Sequence, residues 1–408
     1  MRCRFCQQRL SHQFVDLVSS PPSNSFLTKD QLNEPETYYP LKLYVCEKCW
    51  LVQIDEFKRA DEIFNQNYAY FASFSKSWLA HAEKYVEMIT QKLQLNKSSL
   101  VIEIASNDGY LLQYFQKKHI PCLGIEPAEN TASVAREKGI PVISELFGEN
   151  LADQLRKKGE TADLLIGNNV LAHVPDINDF VKGLKIALNP GGVITMEFPH
   201  LMRLVEQNQF DTIYHEHFSY LSLHVVKAVF AAHGLELFNV EELPTHGGSM
   251  RIYAKHKEDM SWPLSPSLAR LEKEEVRHGM LGLEYYQAFQ EKADQVKYSL
   301  LSFLTMQKQK NKKIVAYGAA AKGNTLLNYC GIKKDLIPFV ADASPHKQGK
   351  YLPGSHIPVM SEDAIHKTRP HYVLILPWNL EEEISAQLQY IRDWGGEFVV
   401  PIPELKVF

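Results

Sequence analysis

No apolar run in this 408-residue chain approaches the roughly 18 to 20 residues that crossing a bilayer requires, so no membrane span is expected. The stretch MRCRFCQQRL at the start has no apolar core of the kind a secretion signal carries, which makes a cytoplasmic protein the expectation. Neither sign of charge dominates: 44 Lys and Arg stand against 48 Asp and Glu, a formal net charge of −4. With no basic stripe interleaved with aromatics, that balance argues against nucleic acid and an acidic membrane surface as partners. Two nucleotide signatures are missing as well. No G-x-G-x-x-G follows the first strand of the central region, and Gly318-Ala-Ala-Ala-Lys322-Gly323 is not a P-loop, which needs Gly-Lys-Ser/Thr after four spacer residues.

Cysteine is scarce, six in all, yet four of them stand in two C-x-x-C knuckles, Cys3/Cys6 and Cys46/Cys49. In a chain without a secretion signal this spacing points to tetrahedral zinc rather than disulfides. Four thiolates leave the metal no open position, so the site reads as structural, supplying folding energy to a unit too short for much core. Cys122 and Cys330 stand apart and read as small buried hydrophobes.

The stretch YAYFASFSKSW (68–78) brings hydroxyls, among them Tyr68, Tyr70 and Ser75, ahead of an apolar-spaced helix. It serves equally as a packing segment or as a set of ligand contacts. From about residue 98 the pattern turns to β/α alternation, which implies a parallel, doubly wound sheet. Glu103 ends the first strand, Gly109 permits a tight turn, and Glu126 ends the second strand, where a nucleoside ribose is gripped in such sheets. The region resembles class I S-adenosylmethionine-dependent methyltransferases. Their usual glycine motif is acid-x-Gly-x-Gly-x-Gly, and this chain carries Glu103, Ala105, Asn107 and Gly109 at those positions.

A fourth strand leads to YHEHFSY: Tyr214, His215, Glu216, His217, Phe218, Ser219 and Tyr220. Two imidazoles, a carboxylate and two phenols suit proton transfer near neutral pH. The plainer readings are a His-rich surface turn or a metal site built from His215 and His217. THGGSMRIYAKH (245–256) then places Gly247 and Gly248 in a turn between strands, with His246 and Arg251 able to face a site. The charged segment 265–312 reads as two linking helices with a solvated face. A second, smaller Rossmann-like unit closes the chain, with Lys322 and Asn324 after its first strand, Asp342 ending its second, and Lys347 beyond. The expected division is a zinc-binding unit over 1–65, a methyltransferase-like α/β unit over 66–256, and a helical linker with a Rossmann-like domain over 257–408.

In order along the chain, CRFC, VCEKC, EIASNDGYLL, NNVLAHV, YHEHFSY, THGGSMR, YGAAAKGNTLLN and ADASPHKQGKYLPGSHIPV occur. Together they resemble the nucleotide-sugar C-methyltransferases that make branched deoxysugars, such as the dTDP-sugar C-3 methyltransferases, over nearly the whole chain. The resemblance implies methylation of the carbon next to the ketone of a dTDP- or GDP-linked 4-keto-6-deoxy sugar, through an enolate. It implies His217 as the base, Tyr214 and Glu216 orienting it or stabilising the enolate, His173 as a further active-site histidine, and His215 in support. The methyl donor, S-adenosylmethionine, is expected against Glu103, Ala105, Ser106, Asn107 and Gly109, with Glu126 on its ribose and Asn168 and Asn169 near its methionine end. Tyr68 and Ser75 are further candidates for the donor. Tyr70, His246, Arg251, Lys322, Asn324, Asp342 and Lys347 are candidates for the sugar nucleotide. The zinc is implied to be structural, and a monomer is expected. The rivals are an O- or N-methyltransferase of another small molecule and a non-enzymatic zinc-containing binding protein.

Overall fold

The computed structural model describes residues 1–59, 62 and 71–408; Tyr68 and Tyr70 lie outside the described residues. Three sheets organise them. Near the N-terminus, β1 (His12–Ser20), β2 (Tyr39–Val45) and β3 (Val52–Ile54) form an antiparallel meander. The alternation in YPLKLYV, with Leu41, Leu43 and Val45 buried, turns one face of β2 inward.

The central sheet begins with β4 (Val101–Ile104), β5 (Cys122–Ile125), β6 (Val142–Ile143), β7 (Ala162–Asn168) and β8 (Leu188–Pro199). All five run parallel, and all four residues of β4 are buried, as expected of strands covered by helices on both faces. The chain then makes β9 (Ser219–Tyr220), which leaves this sheet and pairs with β3, so YHEHFSY ends as the fourth strand of the N-terminal sheet. β10 (Leu235–Leu243) and β11 (Ser249–His256) complete the central sheet in the order β6-β5-β4-β7-β8-β11-β10. β11 is antiparallel to both neighbours. Only residues 244–248 separate β10 from β11, too few for a parallel crossover. This is the α/β class I methyltransferase fold.

The segment expected as two linking helices holds three, Pro266–Arg277, Leu283–Gln287 and Phe289–Gln309. They do more than link: Phe14 of β1 stacks on Phe289 at 4.6 Å, and Trp50 stacks on Tyr286 at 6.2 Å. The C-terminal sheet comprises β12 (Ile314–Tyr317), β13 (Val340–Ala341), β14 (Val359–Met360), β15 (Tyr372–Ile375), β16 (Glu397–Val400) and β17 (Lys406–Val407), in the order β14-β13-β12-β15-β16-β17. The first five are parallel. Each α/β sheet reverses strand order beside its first strand, between β4 and β7 and between β12 and β15. Ligands bind outside the carboxyl ends of strands at such points. No helix among the described residues is long and apolar enough to cross a membrane.

Candidate active site

The four knuckle cysteines converge, with all four sulfurs within 4.8 Å of one another and Cys3–Cys49 and Cys6–Cys46 each at 3.5 Å. A zinc tetrahedron with Zn–S bonds of about 2.3 Å has sulfur–sulfur edges of about 3.8 Å. The donor set therefore fits zinc, with no fifth ligand required. Gln53 on β3 donates to Cys3 Sγ at 3.3 Å, while its own amide oxygen accepts from the Arg4 backbone at 2.8 Å. Gln53 is also the register partner of Ser219, so the zinc cluster is braced by a residue paired with YHEHFSY.

Beyond β4 the backbone turns through Ala105 (φ 57°), Asn107 (φ 50°) and Gly109 (φ 75°), three left-handed residues at alternate positions. The generic glycine motif has glycine at all three because that conformation crowds a Cβ. Here the conformation persists although two of the glycines do not, and Asn107 is a residue type that tolerates it. At Gly109 a Cβ would meet Ile140 Cδ1 at 2.5 Å. Glu126 holds the turn by accepting from the Asn107 and Ala128 amides, each at 2.9 Å. Asn107 Oδ1 accepts in turn from the Ala72 amide at 2.8 Å. Asn168 donates to the Tyr110 hydroxyl at 3.2 Å, and Asn169, itself left-handed at φ 55°, follows at the tip of β7. Asp108 Oδ1 and Asn169 Oδ1 are buried acceptors that meet no hydrogen-bond donor among the described residues. Buried Glu103, whose carboxyl burial pushes well above the usual range, lies below them. Such acceptors suit the ammonium and hydroxyl groups of S-adenosylmethionine.

Of the two serines expected on the donor, Ser75 serves as a helix cap and Ser106 lies in the interior of the sheet. Ser75 is half-buried and caps the helix Lys76–Leu93, its Oγ accepting from the Trp78 amide at 3.2 Å. Ser106 is fully buried, with its Oγ turned to Gly124, where a Cβ would come within 2.4 Å of it.

Tyr214 to His217 form a reverse turn closed by the His217 amide donating to the Tyr214 carbonyl at 3.0 Å. The two side chains share a face, with ring centroids 4.0 Å apart. His217 Nδ1 donates to the Thr212 carbonyl at 2.9 Å. Because a carbonyl only accepts, Nδ1 carries the proton and Nε2 the lone pair. His173 is held the same way, Nδ1 to the Glu216 carbonyl at 2.8 Å, and the two imidazoles meet edge to face at 4.6 Å. Burial lowers both: His173 falls to about 4, while His217 lies well below the usual imidazole range, helped by the nearby His173, His246 and Lys322. Both are neutral at pH 7. His215 turns away into the N-terminal sheet, donating from Nε2 to the Pro40 carbonyl at 3.2 Å.

Burial lifts the Glu216 carboxyl to about 7 against the opposing pull of Asn24 and Lys58. Asn24 comes from SSPPSNSF, the insert between the knuckles, and nothing in the sequence singled it out. The same insert clasps the C-terminal domain, since Asn324 donates to the Ser23 carbonyl at 2.6 Å.

His246 sits at a left-handed position (φ 54°) in the β10–β11 turn, its Nε2 2.9 Å from Asn169 Nδ2. Burial lowers it to about 4. Glu197, at the end of β8, secures this turn by accepting from Thr245 Oγ1 at 2.9 Å. Burial raises the Glu197 carboxyl, but His81, Arg251 and Thr245 outweigh it and hold it at about 2. Arg251 is committed to this network, 2.6 Å from Glu197 and over the Tyr85 ring, so it supports the wall behind His246 rather than facing the cleft.

From the C-terminal domain, the helix Ala321–Cys330 packs against Phe210–Thr212, just before Tyr214. Thr325 Oγ1 donates to the Ile213 carbonyl at 2.8 Å, and Trp378 Nε1 donates to Asp211 at 2.8 Å. Lys322 Nζ donates to Asn379 at 2.6 Å and lies 4.8 Å over the Trp378 ring. Asp342 and Lys347 instead brace the turn after β12: Asp342 accepts from the Ala319 amide at 2.7 Å and Lys347 donates to the Ala319 carbonyl at 2.9 Å. Asp342 thus does in this domain what Glu126 does in the other.

Family models match the chain in three places: a zinc binding domain at 3–64, a methyltransferase domain at 78–240 and a C-methyltransferase C-terminal domain at 244–403. The chain is 33% identical over 405 residues to the C-methyltransferase NovU of Streptomyces niveus, spanning 99% of this chain and 96% of that protein. The chain belongs to the C-methyltransferase family.

It is an S-adenosylmethionine-dependent C-methyltransferase. Solved methyltransferases are similar to part of the chain. One from Anabaena variabilis covers 42% of this chain and 83% of its own at 15% identity and a TM-score of 0.35. The magnesium protoporphyrin IX methyltransferase of Synechocystis covers 43% and 80% at 13% identity and a TM-score of 0.33. In this C-methyltransferase three parts of the chain reach residues 213–220: β3 pairs with β9, Asn24 of the knuckle insert bonds Glu216, and Thr325 of the C-terminal domain bonds the Ile213 carbonyl.

Proposed function

We propose that this C-methyltransferase acts at C-3 of a nucleotide-linked 4-keto-6-deoxy sugar, dTDP- or GDP-linked, by enolisation and methyl transfer. The observation that carries the reading is His217: a neutral imidazole, pinned through Nδ1, offering Nε2 as a base beside Tyr214 and His173. An O- or N-acceptor carries lone pairs of its own, whereas a carbon acceptor has none until a proton is removed. A base held neutral by burial suits that task across the physiological range.

Nε2 of His217 takes the proton on the carbon next to the ketone, and the C–H electron pair moves toward the carbonyl oxygen. Tyr214, packed on the same ring, orients the imidazole. His173, with Nδ1 committed to a carbonyl, contributes an acceptor that suits a sugar hydroxyl. Glu126, Asn169 and the Ala105–Gly109 turn would hold S-adenosylmethionine, whose sulfonium methyl is the electrophile that the carbanion equivalent requires. The nucleotide would extend toward the C-terminal domain, along the helix Ala321–Cys330 and Asn324. NovU is named a C-methyltransferase, which agrees with a carbon acceptor.

The test is solvent deuterium exchange into dTDP- and GDP-linked 4-keto-6-deoxy sugars, followed by mass spectrometry, with and without S-adenosylmethionine. Enzyme-dependent label or a methyl gain at C-3 is the expected result. Methylation of an oxygen or nitrogen acceptor without exchange would replace the reading.

A further inference from the structure

The catalytic turn holds a base but no imidazolium. His217 and His173 both spend Nδ1–H on backbone carbonyls, and burial keeps His217, His173 and His246 neutral. Moving a proton from carbon to so weak a base is strongly uphill unless the oxygen that gains the electron pair is stabilised by a fixed charge or donors. Lys322 is positioned to supply that charge. It lies three residues before Thr325 on the helix Ala321–Cys330, and residues so spaced share a helix face. Thr325 is hydrogen-bonded to the carbonyl of Ile213, the residue before Tyr214, so this face is locked against the catalytic turn. The Lys322 ammonium lies over the Trp378 ring, and that indole packs its edge on Gly247, next to His246, so the lysine is anchored to the His246 turn as well as to the chain entering Tyr214.

The surroundings of Lys322 fit an oxyanion better than a diphosphate. The nearby turn is closed to a phosphate at three amides: Gly318 donates to Ala341, Ala319 to Asp342 and Ala320 to Gly318. Among the described residues Lys322 Nζ has one hydrogen-bond acceptor, Asn379, and an ammonium offers three protons. Trp378 covers one side, and Asp211, tied to the Trp378 indole, faces the ammonium through space.

We propose that Lys322, delivered by the C-terminal domain, is a catalytic residue whose ammonium hydrogen-bonds the enolate oxygen formed when His217 removes the carbon-bound proton. The inference rests on the enolisation reading above. In the step, the C-3–H bond breaks and its proton goes to His217 Nε2. The C–H pair becomes the C-3–C-4 double bond, and the carbonyl π pair becomes the third lone pair on O-4. Lys322 keeps its proton and shares it with O-4 as a hydrogen bond.

Wild type, Lys322→Met and Lys322→Gln would be compared in deuterium exchange into dTDP- and GDP-linked 4-keto-6-deoxy sugars, together with inhibition by free dTDP and GDP. Two neutral variants are carried because either suffices if it retains a wild-type melting curve and donor binding; Lys322→Arg, which keeps the charge, decides if neither does. The expected result is a fall in saturated exchange of about 100-fold or more with KM and nucleotide inhibition changed by less than about threefold, the mark of an interaction made in the transition state. Lys322→Arg should exchange faster than either neutral variant and, if used alone, stay within about tenfold of wild type at unchanged KM. Saturated exchange near wild type with KM and nucleotide inhibition weakened by about tenfold would overturn the proposal and place the lysine on the diphosphate. Wild type that exchanges no 4-keto sugar would remove the substrate reading, and this inference with it, an outcome distinct from variants that exchange as well as wild type.

Discussion

The side-chain amide of Asn24 donates to both carboxylate oxygens of Glu216, at 2.8 and 2.9 Å. Asn24 belongs to the insert between the zinc knuckles and Glu216 to the proposed catalytic turn, so one amide joins the N-terminal unit to that turn. The donor favours the charged carboxylate, while burial favours the neutral acid. Replacing Asn24 with Ala should therefore raise the Glu216 midpoint above its present value near 7. The Glu216-dependent limb of the pH–activity profile should move to higher pH, with a stability loss of about 1 kcal/mol or more for the lost hydrogen bond. A pH–activity profile of the variant superimposable on wild type would remove Asn24 from this role.

Glu216 also predicts a stability trend of definite sign. Its carboxyl titrates at about 7 when folded against a usual value of 4.5, so between those values the folded protein binds more protons than the unfolded chain. This group's contribution therefore falls as pH rises through that window. Glu216→Gln cannot ionise and keeps a similar shape. Its stability relative to wild type should be higher at pH 8 than at pH 5, measured by denaturant unfolding at both. An equal difference at the two pH values would mean an ordinary carboxylate.

The buried histidines act in the opposite direction. His173 and His246 titrate near 4 and His217 is also depressed, so below the usual 6.5 the unfolded chain takes up protons that the folded site refuses. Stability should fall as pH drops from about 6.5 toward 4 through these groups. His217→Gln should lose about 100-fold or more in turnover, the scale of a lost general base, with S-adenosylmethionine affinity unchanged by calorimetry. Turnover close to wild type would assign the base elsewhere.

Removing zinc should reach the catalytic turn. Gln53 touches Cys3 and pairs with Ser219, two residues beyond His217. Chelation, or Cys46→Ser, should lower the melting temperature and reduce turnover together, because closed four-cysteine sites contribute folding energy directly. Metal analysis alongside a thermal melt would check this. A metal-free protein with an unchanged melt and full activity would show the cluster to be dispensable.

Much of the architecture was readable because its signals are local. C-x-x-C spacing, apolar runs of four to seven residues and turns of small residues each report on neighbours along the chain, and the zinc cluster and both α/β sheets follow those signals. The left-handed run at Ala105 and Asn107 was not readable, since neither residue type demands that conformation; Glu126 and the amides it accepts impose it. Nor was β9, a two-residue strand whose partner lies more than 160 residues earlier. Asn24, Asp211 and Trp378 carried no signal, because a lone polar or aromatic residue in a loop says nothing about what will face it.

The sequence by itself determined which chemistry is available: the thiolates, the imidazole–carboxylate–phenol run, and two sheets with their switch points. Only the tertiary structure decided how those groups are set. Burial makes the site histidines neutral and lifts the Glu216 carboxyl to about 7, and the carbonyls of Thr212 and Glu216 choose the tautomers. Folding also brings Asn24 and Lys322 to the cleft from opposite ends of the chain. Charge state and proximity depend on solvent exclusion and distance in space, which arise only once the three sheets have packed together.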